Sequence, residues 1–275
     1  MAEREKKLDM SGESRTGALS GRVAIVTGGG RGLGFDIAKA LYTAGARVAV
    51  CSRYQDVVTA AARSLDPSGV SVMPVVCDIR DEHAVTGMVE AVANEFGGID
   101  TLVNNSGIAG PTSAVWESSL KEWQDTLATN VTGVFLCCRA VLPVMIKQGS
   151  GSIVTVGSVS GKRPNAGRAA YAASKTALIG LTRTLALEAG AYGIRVNLVT
   201  PGAIDSPRFQ QVIDQLAENR GVPREEVLKE AVAGSPLGRL VKPQDVAELV
   251  TFLVGDGAAS ITGEDINVSA GLVMY

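Results

Sequence analysis

Ser158, Tyr171 and Lys175 fall in one short segment, GSVSGKRPNAGRAAYAASK, which brings together a hydroxyl, a phenol and an ammonium. On a helix, residues four apart share a face, so Tyr171 and Lys175 are expected to point the same way. An ammonium beside a phenol favours the phenolate and lowers its reference pKa of about 10 by roughly 1–3 units. A phenol tuned in this way is a general acid or base near neutral pH. Ser158 follows an apolar run and is placed to hydrogen-bond a substrate oxygen beside the phenol. Tyr-x-x-x-Lys also occurs on ordinary helices where the lysine is solvated and the tyrosine packs. The spacing therefore gains its meaning from the elements around it.

Residues 22–27 (RVAIVT) are a short apolar, β-branched run, the pattern of a buried parallel strand. GGGRGLG follows, and then the helical periodicity of FDIAKALYTAGA. A strand, a glycine turn and a helix make a phosphate site, because the helix N-terminus offers free N–H groups and partial positive charge. Its residues are Gly28, Gly30, Arg31, Gly32, Leu33 and Gly34. The second strand, ARVAVCS, ends at Ser52-Arg53. Dinucleotide folds that bind NAD place an acid near this point for the ribose 2′-hydroxyl, whereas an Arg suits a 2′-phosphate. With Arg53 there and Arg31 in the glycine loop, NADP(H) is expected in preference to NAD(H).

A third strand, VSVMPVVC, contains Pro74, which cannot donate to a ladder and so marks an edge. Asp78 follows it, and by position alone caps the next helix. The fourth strand ends in Asn104-Asn105-Ser106-Gly107. Asn130 lies inside an apolar helix, where a buried amide must find partners. The fifth strand (SIVTVGS) delivers Ser158, and the sixth (IRVNLVT) ends in Pro201-Gly202. Two short helical patterns then follow, separated by GVP. A helix over 244–254, capped after Pro243, and a last strand at about 265–268 complete the chain.

Thr-Gly-x-x-x-Gly-x-Gly, Asn-Asn-Ser-Gly, Asn130, Ser158, Tyr171-x-x-x-Lys175 and Pro-Gly, in that order, resemble the short-chain dehydrogenase/reductase family from about Leu19 to the C-terminus. Ser106 departs from the family's Asn-Asn-Ala-Gly. The resemblance implies an α/β, Rossmann-type, doubly wound and mostly parallel seven-stranded sheet with helices on both faces and strand order 3-2-1-4-5-6-7. It implies that Asn130, Ser158, Tyr171 and Lys175 are catalytic, with Asn130 holding a proton-relay water and Lys175 also binding the nicotinamide ribose. It places Asp78 and Ile79 by the adenine. Asn105, Ser106 and Gly107 would lie along the nicotinamide side, and Asn104 would tie the central strands. Pro201, Gly202, Ile204 and Ser206 would lie near the carboxamide. The expected organisation is a flexible tail over residues 1–18 and a single domain over 19–275, with a substrate lid at about 203–237.

The bulk properties agree. Apolar residues make up 46%, the formal charge is −2 and aromatics are 4%. These values fit a globular protein and give no reason to expect nucleic acid or a membrane surface. Cys51, Cys77, Cys137 and Cys138 sit in apolar segments, and with the single His83 they form no zinc spacing. No metal is expected. The N-terminus lacks a secretory signal and no apolar run reaches bilayer-spanning length, so a cytoplasmic protein is expected. The expected activity is NAD(P)-dependent hydride transfer with a small ketone or secondary alcohol, sugar or polyol. The alternatives are 3-oxoacyl-thioester reduction and, among non-enzymes, a nucleotide sensor or a scaffold using the N-terminal tail. Lys162, Arg163, Arg168 and Arg208 are expected as solvated surface charge rather than anion ligands. A homo-oligomer, tetramer or dimer, is expected to pack through the Asn130 and Tyr171 helices.

Overall fold

The computed structural model describes residues 16–275, so almost all of the expected tail lies outside the described residues. Packing begins at Leu19, which is buried and donates its N–H to Ala44 O at 2.8 Å.

The strands are β1 (Val23–Thr27), β2 (Arg47–Ser52), β3 (Val72–Val76), β4 (Thr101–Asn104), β5 (Gly151–Val156), β6 (Ile194–Pro201) and β7 (Asp265–Val268). The helices are α1 (Gly32–Thr43), α2 (Gln55–Leu65), α3 (Glu82–Phe96), α4 (Leu120–Leu127), α5 (Gly133–Gln148), α6 (Ala169–Ala189), α7 (Pro207–Arg220), α8 (Arg224–Ala231) and α9 (Pro243–Val254). The sheet order is β3-β2-β1-β4-β5-β6-β7, and every pair is parallel. Pro74 sits on β3, the edge strand, where its missing N–H costs the ladder nothing.

Two apolar layers flank the sheet. On one face α3, α5 and α6 cover Ile25, Leu102, Ile153 and Leu198; on the other, α1, α2 and α9 cover Val26, Val48, Val103 and Val199. Burial on both faces explains why the central strands are apolar runs without alternation. The order reverses between β1 and β4, and the loops at their carboxyl ends make the crevice where such sheets bind ligands.

Three expectations need correction. Asp81, not Asp78, caps α3, accepting from His83 N and Ala84 N. Pro243 lies inside α9 at its first turn, where a missing N–H is harmless, and Lys242 is the cap residue. The helical run Leu120–Gln148 is long and apolar enough, by length and composition, to cross a membrane. Here it is a core helix, whose Val134, Cys137, Val141 and Met145 pack in the buried cluster.

Candidate active site

The glycine loop joins β1 to α1. Gly28 has φ +66°, and a Cβ on Gly34 would stand 2.2 Å from Gly28 O, so neither position admits a side chain. Arg31 precedes α1 and gives it no side-chain cap, which leaves the first-turn N–H groups of α1 without a side-chain acceptor. This is the arrangement a phosphate needs. Gly30 closes against Val57, Leu33 packs partly into the core, and a Cβ on Gly32 would meet nothing within 4 Å. The loop is tied to β4 by Thr27, whose hydroxyl accepts from Asn105 N (3.0 Å) and Ser106 N (3.1 Å). The Asn105 amide donates to Thr27 O and Gly28 O, so it holds the loop itself. Thr27 was not singled out from the sequence, although it opens the glycine motif.

At the end of β2 the Ser52 hydroxyl pairs with the backbone of Tyr54. Arg53 is exposed, with its guanidinium 5.6 Å from the Tyr54 ring centroid. Arg31 is also exposed. Asp78 is bound by Arg80 at 2.6 Å, and that hydrogen bond, with help from Arg53, holds its carboxyl below the usual range. Ile79 is buried against Gly133 at the start of α5.

Between α4 and α5 the helix widens into a π-turn, Ala128–Thr132, that carries Asn130. Asn130 is fully buried, and its amide is satisfied by protein alone. Oδ1 accepts from Ile108 N at 2.8 Å; Nδ2 donates to Ile108 O at 2.9 Å and to Ser174 Oγ at 3.0 Å. Ser174 Oγ donates in turn to Tyr171 O at 2.7 Å. Asn130 thereby clamps the β4 loop to the helix that carries Tyr171. Asn104 ties β4 to both β5 and α5, donating to Thr155 Oγ1 and Cys138 Sγ.

Tyr171 and Lys175 occupy the first turns of α6. The Lys175 ammonium is 5.8 Å from the Tyr171 ring centroid and donates to Val156 O at 2.9 Å. Gly107 lies between this lysine and Asn130; a Cβ there would be 3.7 Å from Nζ. Burial pulls the Lys175 pKa down to about 8, so the ammonium stays protonated at neutral pH at a desolvation cost. Its remaining N–H donors suit ribose hydroxyls and a phenolic oxygen. Ser158 caps a short helical turn, accepting from Ser160 N, and Thr176 Oγ1 pins that turn to α6 through Gly161 O at 2.8 Å. The guanidinium of Arg168 stacks 4.9 Å from the Tyr171 ring centroid, so the phenol ring has two cations beside it.

Pro201 is buried at the end of β6, and Gly202 N donates to Val268 O. Ile204 bridges to Val241, and Ser206 caps α7 by accepting from Phe209 N. Lys162 overturns its expectation of a solvated surface charge. Its side chain is 8% exposed and lies 3.0 Å from Asp265 Oδ2, itself 6% exposed. The ammonium donates to Asn267 Oδ1 and Tyr275 O instead, leaving that carboxylate oxygen charge-compensated but without a hydrogen-bond donor. Thr200 donates to the other oxygen.

All four cysteines are free and buried, and burial pushes the Cys138 thiol up to about 12. No cluster of three potential metal ligands occurs among the described residues. A cavity of about 310 Å³ beside β7 is lined by Arg239, Asp245, Ser269 and Val273 but by none of the candidate site residues, and its two charges pair with each other.

A family model described as enoyl-(acyl carrier protein) reductase matches residues 28–273. A 3-oxoacyl-[acyl-carrier-protein] reductase of Escherichia coli is 36% identical over 256 residues, covering 93% of this chain and 99% of the relative. A variant of the actinorhodin polyketide ketoreductase solved with NADPH superposes with TM-score 0.86 at 38% identity, covering 92% of this chain and 98% of that one. A xylitol dehydrogenase bound to NAD+ superposes equally well, TM-score 0.86 at 32% identity, over 92% and 99%.

Proposed function

The chain belongs to the short-chain dehydrogenase/reductase family and is an oxidoreductase acting on CH–OH groups with a nicotinamide cofactor; from that premise we propose that Tyr171 is its general acid and base, with NADP(H) as the preferred cofactor. The observation that carries this is Lys175, a buried ammonium with no carboxylate partner among the described residues, one helical turn from the phenol. Burying an uncompensated charge is costly, and a functional site is where such a cost persists.

The α1 N-terminus and the glycine loop would hold the cofactor pyrophosphate, and Lys175 the nicotinamide ribose. The bound nicotinamide supplies or accepts the hydride. In the reductive direction the Tyr171 hydroxyl gives its proton to the carbonyl oxygen, and Ser158 holds that oxygen in place. Lys175 stabilises the phenolate that remains. Asn130 keeps the β4 loop and α6 in register. Alcohol oxidation uses the same groups in reverse. The hairpin of α7 and α8 packs on its own small cluster of Ile213, Ala217 and Val227, which supports its role as a lid over residues 203–237.

The substrate class proposed is a small ketone, sugar or polyol, in line with the polyol dehydrogenase likeness. The 3-oxoacyl relatives favour a second reading, reduction of a 3-oxoacyl thioester. Exposed Phe135 on α5 and Leu187 on α6 support a homo-oligomer through that face.

Tyr171→Phe tests the central assignment. Turnover should fall by about 10²–10⁴-fold while cofactor binding persists, and activity near that of the parent enzyme would refute it. Arg53→Ala tests cofactor choice: affinity for NADPH should fall about tenfold or more, with NADH nearly unaffected. An equal loss of both would end the NADP preference.

A further inference from the structure

Arg168 sits on the catalytic phenol with its charge unspent. Its guanidinium lies 4.9 Å from the Tyr171 ring centroid, and Nη1 donates to Thr112 Oγ1 at 3.0 Å. Those two contacts hold the head group in one place. Neither neutralises it. Among the described residues Arg168 has no carboxylate within ion-pair distance; Arg163 and Arg183 have none either, and what sets Arg168 apart is its place on the Tyr171 ring.

The local sequence makes the charge harder to cancel. No Asp or Glu occurs between Asp125 and Glu188, whereas Lys162, Arg163, Arg168 and Lys175 all do. Lys162 is consumed by Asp265, and Lys175 is buried, its ammonium 5.8 Å from the phenol ring centroid. Arg168 is a half-buried cation beside the same ring. The loop that carries its partner Thr112 is fixed to this segment by Ser113 N donating to Gly167 O at 3.0 Å.

A guanidinium spans two oxygens of a carboxylate or phosphate with parallel N–H donors. One that is already immobilised loses little entropy on binding. We propose that Arg168 is a specificity residue, and that the substrate's reacting carbonyl or carbinol carbon belongs to a molecule bearing a carboxylate or phosphate within a few bonds. This rests on the assignment of Tyr171 as acid and base and narrows its substrate class; Thr112 holds the arginine and acts only through it.

Matched pairs test it: acetoacetate against ethyl acetoacetate, and fructose 6-phosphate against fructose, each with NADPH and NADH. Parent enzyme, Arg168→Gln, Arg168→Lys, Tyr171→Phe and the surface control Arg183→Gln are compared. The charged member of at least one pair should be favoured in kcat/KM. Arg168→Gln should cost that member about 10–100-fold more than it costs its neutral partner, with the difference mainly in KM. Arg168→Lys should recover part of the loss, and Arg183→Gln should change neither. The pair that responds separates carboxylate from phosphate. Turnover of neither charged compound, preference for the neutral members, or equal loss of both in Arg168→Gln would overturn the proposal. Full activity in Tyr171→Phe would instead strike the acid–base assignment and leave any charge preference standing.

Discussion

Lys162 and Lys175 are both buried, both follow β5, and are used in opposite ways. Lys162 meets Asp265 at 3.0 Å, with Asn267 and the backbone of Tyr275 taking its hydrogen bonds. Among the described residues Lys175 has one backbone acceptor, Val156 O, and no carboxylate. Its pKa accordingly falls to about 8 through burial. The first lysine is a structural pin between the Ser158 loop and β7. The second is held in a costly state that a ligand or a phenolate would relieve. Of these two lysines, the compensated one serves the architecture, and the uncompensated one stands in the candidate active site.

Lys162→Ala is the sharpest way to break that contrast. It strands the Asp265 carboxylate in a buried site and should cost about 3–5 kcal/mol, measured by denaturant unfolding. Lys162→Met with Asp265→Leu should restore most of that loss, because an apolar pair of similar volume leaves no unpaired charge. If the double variant is no better than the single one, the pair is not a simple pin.

Lys175→Met should act in the opposite direction. The folded-state pKa of about 8 lies below the unfolded value of 10.5. Protonated Lys175 therefore destabilises the fold below about pH 8, and that cost fades as pH rises from about 8 towards 10.5. The ligand-free variant should be more stable than the parent at pH 7 by on the order of 1–3 kcal/mol, while losing turnover. The stability difference should shrink between pH 8 and 10.5, and melting curves across that range read it directly. A variant less stable than its parent at pH 7 would mean that Lys175 is held for structure.

Legibility differed from residue to residue. The glycine loop, the edge position of Pro74 and the shared face of Tyr171 and Lys175 were all evident from spacing, since each depends on backbone rules acting over a few residues. The cap of α3 was misjudged by three positions, because Asp78 and Asp81 are both plausible caps locally and only the contact with Arg80 distinguishes them. Asn130 announced itself as a buried amide, but its partners Ile108 and Ser174 did not. Arg168 stands three residues before Tyr171, a spacing that lets the two side chains meet, but its bond to Thr112 comes only from the fold.

The chain alone determined its layered α/β architecture and pointed to Tyr171 and Lys175 as a candidate acid–base pair, and the family resemblance carried its strand order. Apolar runs, glycine turns and helical spacing are local signals, and the parallel topology follows from their alternation. Which lysine is neutralised and which is left charged was decided only in three dimensions. Lys162 and Asp265 come from opposite ends of the catalytic half and meet across β6 and β7, and desolvation depends on everything packed around a group rather than on its neighbours in sequence.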